Sequence, residues 1–204
     1  MNLSTRAFRL DFLCLIISCG LVLALSPVAA GGDTSVVRIA GDNCFPPYEF
    51  LSETGIFRGF NVDLMHAVAI ELGLNIELVP MPWSQVRAAL EQGKVDAIQG
   101  MKYSLERDRI YDFSMPYLTS SQSIFVRRDC VDISELADLK GRRVAVQRGD
   151  ISHESLSRVK FADPVVFENQ EAALEALLAG AVDAFLGNRL AGMYMTQRKM
   201  RTSD

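Results

Sequence analysis

Short apolar runs alternate along the chain with stretches in which apolar residues recur every three or four positions. The run VVRIAG at residues 36–41 predicts a buried strand, and GFNVDLMHAVAIELG at residues 59–73 predicts an amphipathic helix. NIELVPM at residues 75–81 then predicts a strand, and WSQVRAALEQG at residues 83–93 predicts a helix that its final glycine ends. Strands that alternate with helices predict an α/β fold with parallel sheets covered on both faces.

An internal echo links two parts of the chain. Residues 89–100, ALEQGKVDAIQG, align without a gap with residues 176–187, ALLAGAVDAFLG, and share Ala, Leu, Gly, Val, Asp, Ala and Gly. Corners made of a helix, a glycine and a strand look alike in many proteins, which is one explanation of the echo. The other is a pair of similar α/β lobes, at residues 36–126 and 131–204, whose strand ends face each other across a cleft.

The N-terminal residues predict a targeting segment. Arg6 and Arg9 precede an apolar run at residues 12–25, and the small residues of SPVAAGG at residues 26–32 suit a signal peptidase. We therefore interpret residues 1–30 as a secretory signal peptide that directs the chain to the periplasm, with an uncleaved N-terminal membrane anchor as the alternative.

The composition narrows the classes of function. The chain carries a formal net charge of −4 and has no stripe of Lys and Arg interleaved with aromatic residues, so we expect no nucleic acid as a partner. Cys44 and Cys130 are the cysteines beyond the leader, and the sequence leaves open whether they pair or stay free. Without CxxC, HExxH, GxSxG or GxxxxGK(S/T) motifs, we expect no metal site, no cofactor and no catalytic constellation.

The stretch GDNCFPPYEF at residues 41–50 places Asp42, Phe45 and Tyr48 at the carboxyl end of the first predicted strand. Two consecutive prolines cannot continue a ladder or a helix, so they predict a stiff loop. Trp83 stands at the start of the second helix, and rings at a cleft offer rigid contact area to an apolar or cationic ligand group. The alternative is that these rings only plug the upper end of the lobe.

Three further positions are candidates for polar ligand contacts. VDAIQG at residues 95–100 predicts a third strand, which Gly100 ends. Arg107 follows it, and a guanidinium can hold a carboxylate through two hydrogen bonds. The mixed-charge neighbours of this arginine equally suit a solvated surface. In VAVQRGDISHES at residues 144–155, Asp150 can cap the next helix, or free N–H groups there can attract an anion. Asn188 ends the last strand of the echo, where its amide can bond a ligand or cap a helix.

Taken together, these patterns resemble one known family, the extracellular solute-binding proteins of family 3, which bind amino acids and related small solutes. The resemblance covers most of residues 36–190. The stretches that carry it are IAGDNCFPPYEF, GFNVDLMHAVAIELGLNIELVPMPWSQVRAALEQGKVDA, SLERDRIYDFSMPY, LADLKGRRVAVQRGD and DAFLGNR.

The resemblance implies a periplasmic binding protein-like type II fold, in which two α/β lobes close on a ligand in the cleft between them. It implies that Arg107 grips the ligand's α-carboxylate and that Gly100 offers a backbone contact. The family normally continues some tens of residues beyond the DAFLGNR helix, so we expect the second lobe to be incomplete in residues 131–204. The other positions that match ligand-binding residues of the family are Asp42, Phe45, Tyr48, Trp83, Gln147, Asp150 and Ile151.

Two positions depart from the amino-acid binders of the family. Asn188 stands where those proteins usually place an aspartate for the ligand's α-ammonium group, so that contact loses its charge. Lys102 replaces a small hydroxyl residue near the same pocket and adds a cation there. Both departures indicate a ligand that is anionic, or less cationic than an ordinary amino acid.

The resemblance implies a domain without catalytic activity that captures a small carboxylate or amino-acid-like ligand. It would serve ABC-type uptake through a membrane permease, or sensory input to a fused signalling module. The string GMKYSLERDRIYDFS at residues 100–114 is closer to the version in periplasmic input domains of sensor histidine kinases and diguanylate cyclases. The alternatives are a cyclohexadienyl dehydratase-like enzyme, a domain that recognises a partner protein, and a targeting domain beside a cell-wall lytic enzyme.

Overall fold

The structure, a computed structural model, describes residues 35–158 and 163–202. The predicted signal peptide at residues 1–30 lies outside the described residues. In the first half of the chain the elements are β1 (Val36–Asp42), β2 (Cys44–Phe45), β3 (Glu49–Leu51), β4 (Phe57–Arg58), α1 (Phe60–Leu72), β5 (Asn75–Met81), α2 (Trp83–Glu91), β6 (Ala97–Ile98) and α3 (Leu105–Asp108). In the second half they are β7 (Gln122–Phe125), a 3₁₀-helix (Leu136–Leu139), β8 (Arg143–Gln147), α4 (Ile151–Arg158), β9 (Asp163–Phe167), α5 (Gln170–Leu178), β10 (Ala184–Asn188) and α6 (Arg189–Thr202). None of the helices described is long and apolar enough to cross a membrane.

The first sheet has the strand order β5-β1-β6, and both neighbours run parallel to β1. β1 and β5 pair along their whole length, from Val36 opposite Asn75 to Asp42 opposite Met81. Val86 of α2 is fully buried in a core cluster with residues of β1. These elements confirm the alternation of strand and helix that the hydrophobic pattern predicted.

The second sheet has the strand order β7-β10-β8-β9. β10, β8 and β9 run parallel, but β7 runs antiparallel to β10, with Phe125 opposite Phe185. The prediction of purely parallel sheets is therefore wrong at this edge. Hydrophobic patterns do not encode the direction of a strand, and an antiparallel edge strand on a mostly parallel sheet is common.

Helices cover both faces of the second sheet. Leu174 of α5 packs on one face together with Phe185 of β10. On the other face, Leu156 of α4 and Leu139 of the 3₁₀-helix pack in one cluster with Val146 of β8. Because successive side chains of a strand point to opposite faces, the continuous apolar run of β8 supplies both clusters.

Residues 44–58 form a small antiparallel sheet of β2, β3 and β4. This corrects the prediction of a stiff loop: the two prolines occupy only the turn, which Tyr48 N closes by donating to Phe45 O at 3.0 Å. Because proline cannot donate to a ladder, the strands stop on either side of the pair. The turn holds the rings of Phe45 and Tyr48 in a stack, with centroids 4.9 Å apart.

Cys44 and Cys130, whose pairing the sequence left open, are both free thiols. Cys44 Sγ lies 3.8 Å from Glu171 Oε2. Burial, followed by the charges of Asp42 and Glu171, raises the pKa of Cys44 to about 12. Since the thiolate is the reactive form, Cys44 is a poor nucleophile and acts as a packing residue.

The start of α1 docks directly against the β2–β3 turn. Phe60 N donates to Pro47 O at 3.1 Å, and Asn61 N donates to Tyr48 O at 2.8 Å. Gly59 permits this approach because its φ is +128°, and a Cβ there would lie 2.5 Å from Tyr48 O.

Replacement of Gly59 therefore tests how α1 is seated. We expect Gly59→Ala to lower the free energy of unfolding by about 3 kcal/mol, since it adds both backbone strain and a clash with backbone atoms. Gly55→Ala is the matched control, because Gly55 also has a positive φ but open space around it, and it should cost about 1 kcal/mol. Urea unfolding measures both values, and equal losses would contradict the docking of α1 on the turn.

Candidate functional site

Strand ends from both sheets meet at one polar pocket. Asp42 ends β1 and Gln147 ends β8, and Gln147 Nε2 donates to Asp42 Oδ2 at 2.8 Å. The carboxyl ends of strands are the places where open α/β sheets bind ligands. The residues that line this site, hereafter the polar pocket, are Asp42, Phe45, Glu49, Trp83, Gly100, Lys102, Arg107, Gln147 and Asp150.

A larger cavity of about 360 Å³ adjoins the polar pocket, and the two share Phe45, Gly100 and Lys102. Rings and apolar side chains dominate its wall, so we term it the aromatic cavity. Its wall includes the predicted residues Tyr48, Ile151 and Asn188 and, beyond them, Tyr103, Phe113, Met115, Tyr117, Leu118 and Gln122. Every ligand-site residue predicted from the sequence thus lines one of these two adjoining spaces.

Hydrogen bonds tie the loop after β8 to the helices on the first sheet. Trp83 Nε1, at the start of α2, donates to Gly149 O at 2.9 Å. Arg87, one turn later, donates from Nη1 to Glu154 Oε1 of α4 at 2.9 Å. The polar pocket is therefore closed by direct contacts between elements of the two sheets.

Arg107 lies in the wall of the polar pocket with 2% of its surface exposed. Ser104 caps α3 by accepting a hydrogen bond from Arg107 N at 3.2 Å. The guanidinium donates from Nη1 to Lys102 O at 3.0 Å and from Nη2 to Gly149 O and Glu154 Oε1, both at 3.1 Å. The alternative that Arg107 lies on a solvated surface is therefore wrong, because its guanidinium is buried and hydrogen-bonded to these three acceptors. Arg107 faces the pocket while it directs its hydrogen bonds to protein acceptors.

Lys102 is the second cation of the polar pocket. Its Nζ lies 3.8 Å from Asp150 Oδ1 and 5.7 Å from the centre of the Phe45 ring. Burial lowers the pKa of Lys102, Asp150 opposes that effect, and the charge of Arg107 lowers the pKa further. Within the described part of the chain, Lys102 Nζ is buried and has no hydrogen-bond partner.

Glu49 is a pocket residue that the sequence analysis missed. It is 1% exposed; its Oε1 accepts from Asp42 N at 2.9 Å, and its Oε2 accepts from Asn61 Nδ2 at 3.1 Å. Gly100 makes room for it, because a Cβ there would lie 2.9 Å from Glu49 Oε1. The position of Glu49 between two aromatic residues, Tyr48 and Phe50, is the signal that could have found it.

Both carboxyl groups at the base of the pocket have perturbed pKa values. Burial raises the pKa of Glu49 to about 8, against the lowering effect of its hydrogen bonds from Asp42 N and Asn61. Burial also raises the pKa of Asp42 to about 6, against the lowering effect of Gln147. At neutral pH the base of the pocket therefore carries less negative charge than its two carboxyl groups suggest.

Asp150 and Asn188 both cap helices. Ser152 N donates to Asp150 Oδ2 at 3.2 Å, and Ala191 N donates to Asn188 Oδ1 at 2.9 Å. The capping alternatives drawn from the sequence therefore hold for both residues. Burial raises the pKa of Tyr48, and the Asn188 amide opposes that rise. Asn188 Nδ2 has no hydrogen-bond partner among the described residues.

The raised pKa of Glu49 predicts a pH-dependent stability. The folded chain holds the Glu49 proton more tightly than the unfolded chain, so the free energy of unfolding is highest below pH 4.5 and falls as the pH rises towards about 8. Asp42 acts in the same direction between pH 3.8 and about 6. Urea unfolding at about pH 5 and about pH 8 should differ by several kcal/mol, since one pKa unit corresponds to about 1.4 kcal/mol.

Glu49→Gln should largely remove that difference, because the amide keeps the shape of the side chain and does not titrate. Glu71→Gln, at an exposed position on α1, is the matched control and should retain the wild-type slope. A slope in Glu49→Gln as steep as that of the control would contradict the assignment.

Curated proteins are similar to this chain in sequence. "Probable amino-acid-binding protein YxeM" of Bacillus subtilis (strain 168) is 30% identical over 162 residues, which are 77% of this chain and 61% of that protein. "L-cystine-binding protein TcyJ" of Escherichia coli (strain K12) is 30% identical over 160 residues, which are 77% of this chain and 60% of that protein. The chain therefore spans about three fifths of the length of these curated relatives.

Solved structures show the same fold. A histidine kinase sensor domain with similarity to periplasmic binding proteins matches with a TM-score of 0.79 and 36% identity, over 82% of this chain and 74% of that one. An ancestral arginine-binding protein bound to arginine matches with a TM-score of 0.75 and 34% identity, over 80% and 74%. The family model "Bacterial extracellular solute-binding proteins, family 3" matches residues 37–195. The chain belongs to the bacterial extracellular solute-binding proteins of family 3.

Proposed function

We propose that the chain is the ligand-binding part of a solute-binding protein and captures a small carboxylate or amino-acid-like ligand between two lobes. One observation carries the proposal: residues from both sheets line the polar pocket, and two cations, Lys102 and Arg107, form its positive side. The lobes correspond to residues 36–126 and 131–204. A ligand that touches both lobes favours the closed arrangement, because only that arrangement makes both sets of contacts.

The names of the relatives support a ligand related to amino acids. They include an L-cystine-binding protein, a probable histidine-binding protein of Neisseria gonorrhoeae and an L-arginine-binding protein of Pseudomonas aeruginosa. The rings of Phe45 and Trp83 would contact the body of the ligand, and Asp42, Gln147 and Asp150 would shape the polar end of the cleft.

We propose a periplasmic or extracellular location, which the description of the family supports, with residues 1–30 as a secretory signal or an anchor. A membrane permease in ABC-type uptake, or a fused signalling module, would recognise the closed arrangement of the lobes. Similarity to a histidine kinase sensor domain supports the signalling module as the partner.

A dehydratase-like enzyme is the second candidate. Glu49 favours it, because a carboxyl group with a pKa of about 8 is protonated at neutral pH and can act as a general acid. A structural relative, the ancestral amino acid-binding protein AncCDT-1, is described as a precursor of cyclohexadienyl dehydratase. However, both carboxyl oxygens of Glu49 accept hydrogen bonds from the protein. We therefore propose binding without catalysis, and turnover of a cyclohexadienyl carboxylate by the purified chain would contradict it.

A thermal-shift screen of amino acids and small carboxylates tests the binding function. We expect at least one compound to raise the melting temperature, and Arg107→Ala to abolish that effect, because it removes one of the two cations and the link from α3 to Gly149 and Glu154. Arg107→Lys keeps the charge but loses the forked geometry, and it should weaken binding at least about tenfold, or 1.4 kcal/mol, in calorimetry.

Arg109→Ala is the matched control for Arg107→Ala, because Arg109 follows α3 directly and is exposed. It should bind the compound like the unmodified chain. A ligand-induced shift that survives Arg107→Ala would contradict the role of this arginine, and a screen without any hit would contradict the binding function itself.

A further inference from the structure

The aromatic cavity offers a ligand one charge. Lys102 lines it, and along the described residues its wall contains no aspartate, no glutamate and no arginine. A ligand in this cavity would therefore meet an ammonium group and no carboxylate. An electrostatic setting of this kind favours an anionic group and leaves a ligand ammonium without a counter-charge.

The hydrogen-bonding capacity of Lys102 is unused. An ammonium group has three donors, and Lys102 Nζ meets no acceptor within hydrogen-bond distance among the residues that the structure describes. Asp150 Oδ1 lies at 3.8 Å, which is an ion-pair distance rather than a hydrogen bond. Buried charges are stable when they are paired and hydrogen-bonded, so an anionic ligand would complete the environment of Lys102.

Arg107 directs three hydrogen bonds to protein acceptors, while its buried Nε has no partner among the described residues. Glu154 supplies it with a carboxylate oxygen at 3.1 Å, and the same oxygen accepts from Arg87 at 2.9 Å. The carbonyl oxygens of Gly149 and Lys102 accept further hydrogen bonds from the guanidinium. Arg107 therefore holds α3, the loop after β8 and α4 together. It lines the polar pocket but not the aromatic cavity, so Lys102 is the cation that a ligand in the aromatic cavity meets among the described residues.

The rest of the aromatic cavity suits a bulky apolar body. Tyr103 and Phe113 form an edge-to-face pair with centroids 5.4 Å apart, and the stacked rings of Phe45 and Tyr48 line the same cavity. Met115 is 87% exposed at the rim. Exposed apolar side chains around an open cavity of this size are typical of a site that buries an apolar ligand.

Two neutral polar atoms complete the wall. Asn188 Nδ2 and Gln122 Oε1 are buried, and neither has a hydrogen-bond partner in the described structure. One is a donor and the other an acceptor, so they suit a neutral substituent such as a hydroxyl group on the ligand body. Neither supplies the charge that would hold an ammonium group.

We propose that the ligand is a monocarboxylate with an aromatic or bulky apolar body and no ammonium group, and that Lys102 contacts its carboxylate directly. The ligand body lies in the aromatic cavity, and Arg107 acts as a positioning residue that holds the two lobes around it. This inference rests on the proposed function and names the class of solute.

Calorimetry with three compounds of one shape tests the inference. 3-Phenylpropionate carries the carboxylate alone, L-phenylalanine adds an ammonium group, and 3-phenylpropanol replaces the carboxylate with a neutral hydroxyl group. We expect 3-phenylpropionate to bind at least tenfold more tightly than either of the others. Lys102→Met should weaken its binding at least tenfold, whereas Lys102→Arg should stay within a few-fold of the unmodified chain.

Lys140→Met, at an exposed position after the 3₁₀-helix, is the matched control and should leave the affinity unchanged. The melting temperature without ligand should change little in Lys102→Met, because the ammonium group makes no hydrogen bond and only an ion pair at 3.8 Å with Asp150. Tighter binding of L-phenylalanine than of 3-phenylpropionate, or unchanged affinity in Lys102→Met, would overturn this inference and leave the proposed function standing. Absence of binding by every amino acid and carboxylate would overturn both.

Discussion

A guanidinium that is removed from water needs hydrogen-bond acceptors around it to be stable, and the acceptors of Arg107 come from both sides of the cleft. Lys102 O lies on its own side, whereas Gly149 O and Glu154 belong to the loop after β8 and to α4. Trp83 Nε1 donates to the same Gly149 carbonyl oxygen, so the indole ring also lies where the two sides of the cleft meet. The hydrogen-bonding requirement of one side chain thus determines how the two sheets meet, and with it the shape of the polar pocket.

The same requirement divides the charges of the cleft into two groups. Glu154 forms ion pairs with both Arg107 and Arg87 through the same carboxylate oxygen. Further in, burial keeps Glu49 largely protonated and draws Asp42 towards the neutral form. Lys102 stands between these groups with only a loose ion pair. A solute that enters the cleft therefore finds the positive side incompletely paired, and an anionic group is the complement that we propose for it.

Local patterns predicted much of this arrangement. α2 begins at Trp83 as its periodicity indicated. Asp42 and Gln147 end strands of two different sheets and meet across the cleft, in line with the expectation that strand ends of two lobes face each other. The direction of β7 could not be predicted, since it does not depend on hydrophobic period. The burial of Glu49 left only an indirect signal, its position between Tyr48 and Phe50. The pair between Glu154 and Arg107 depends on how the lobes close, and residues so distant in sequence leave no local signal of their contact. The sequence thus predicted where the helices and strands lie, but it did not predict the side-chain contacts between distant elements.

The exchange rate of the Trp83 indole proton with solvent, followed by NMR, measures closure most directly. Trp83 is the one tryptophan of the chain, and its indole N–H donates across the cleft to Gly149 O, so a single resonance reports the contact between the lobes. If a solute bridges the lobes, saturating amounts of a bound compound should slow this exchange at least about tenfold, because binding shifts the population towards the closed arrangement. An exchange rate that does not change at saturation would contradict capture between the two lobes.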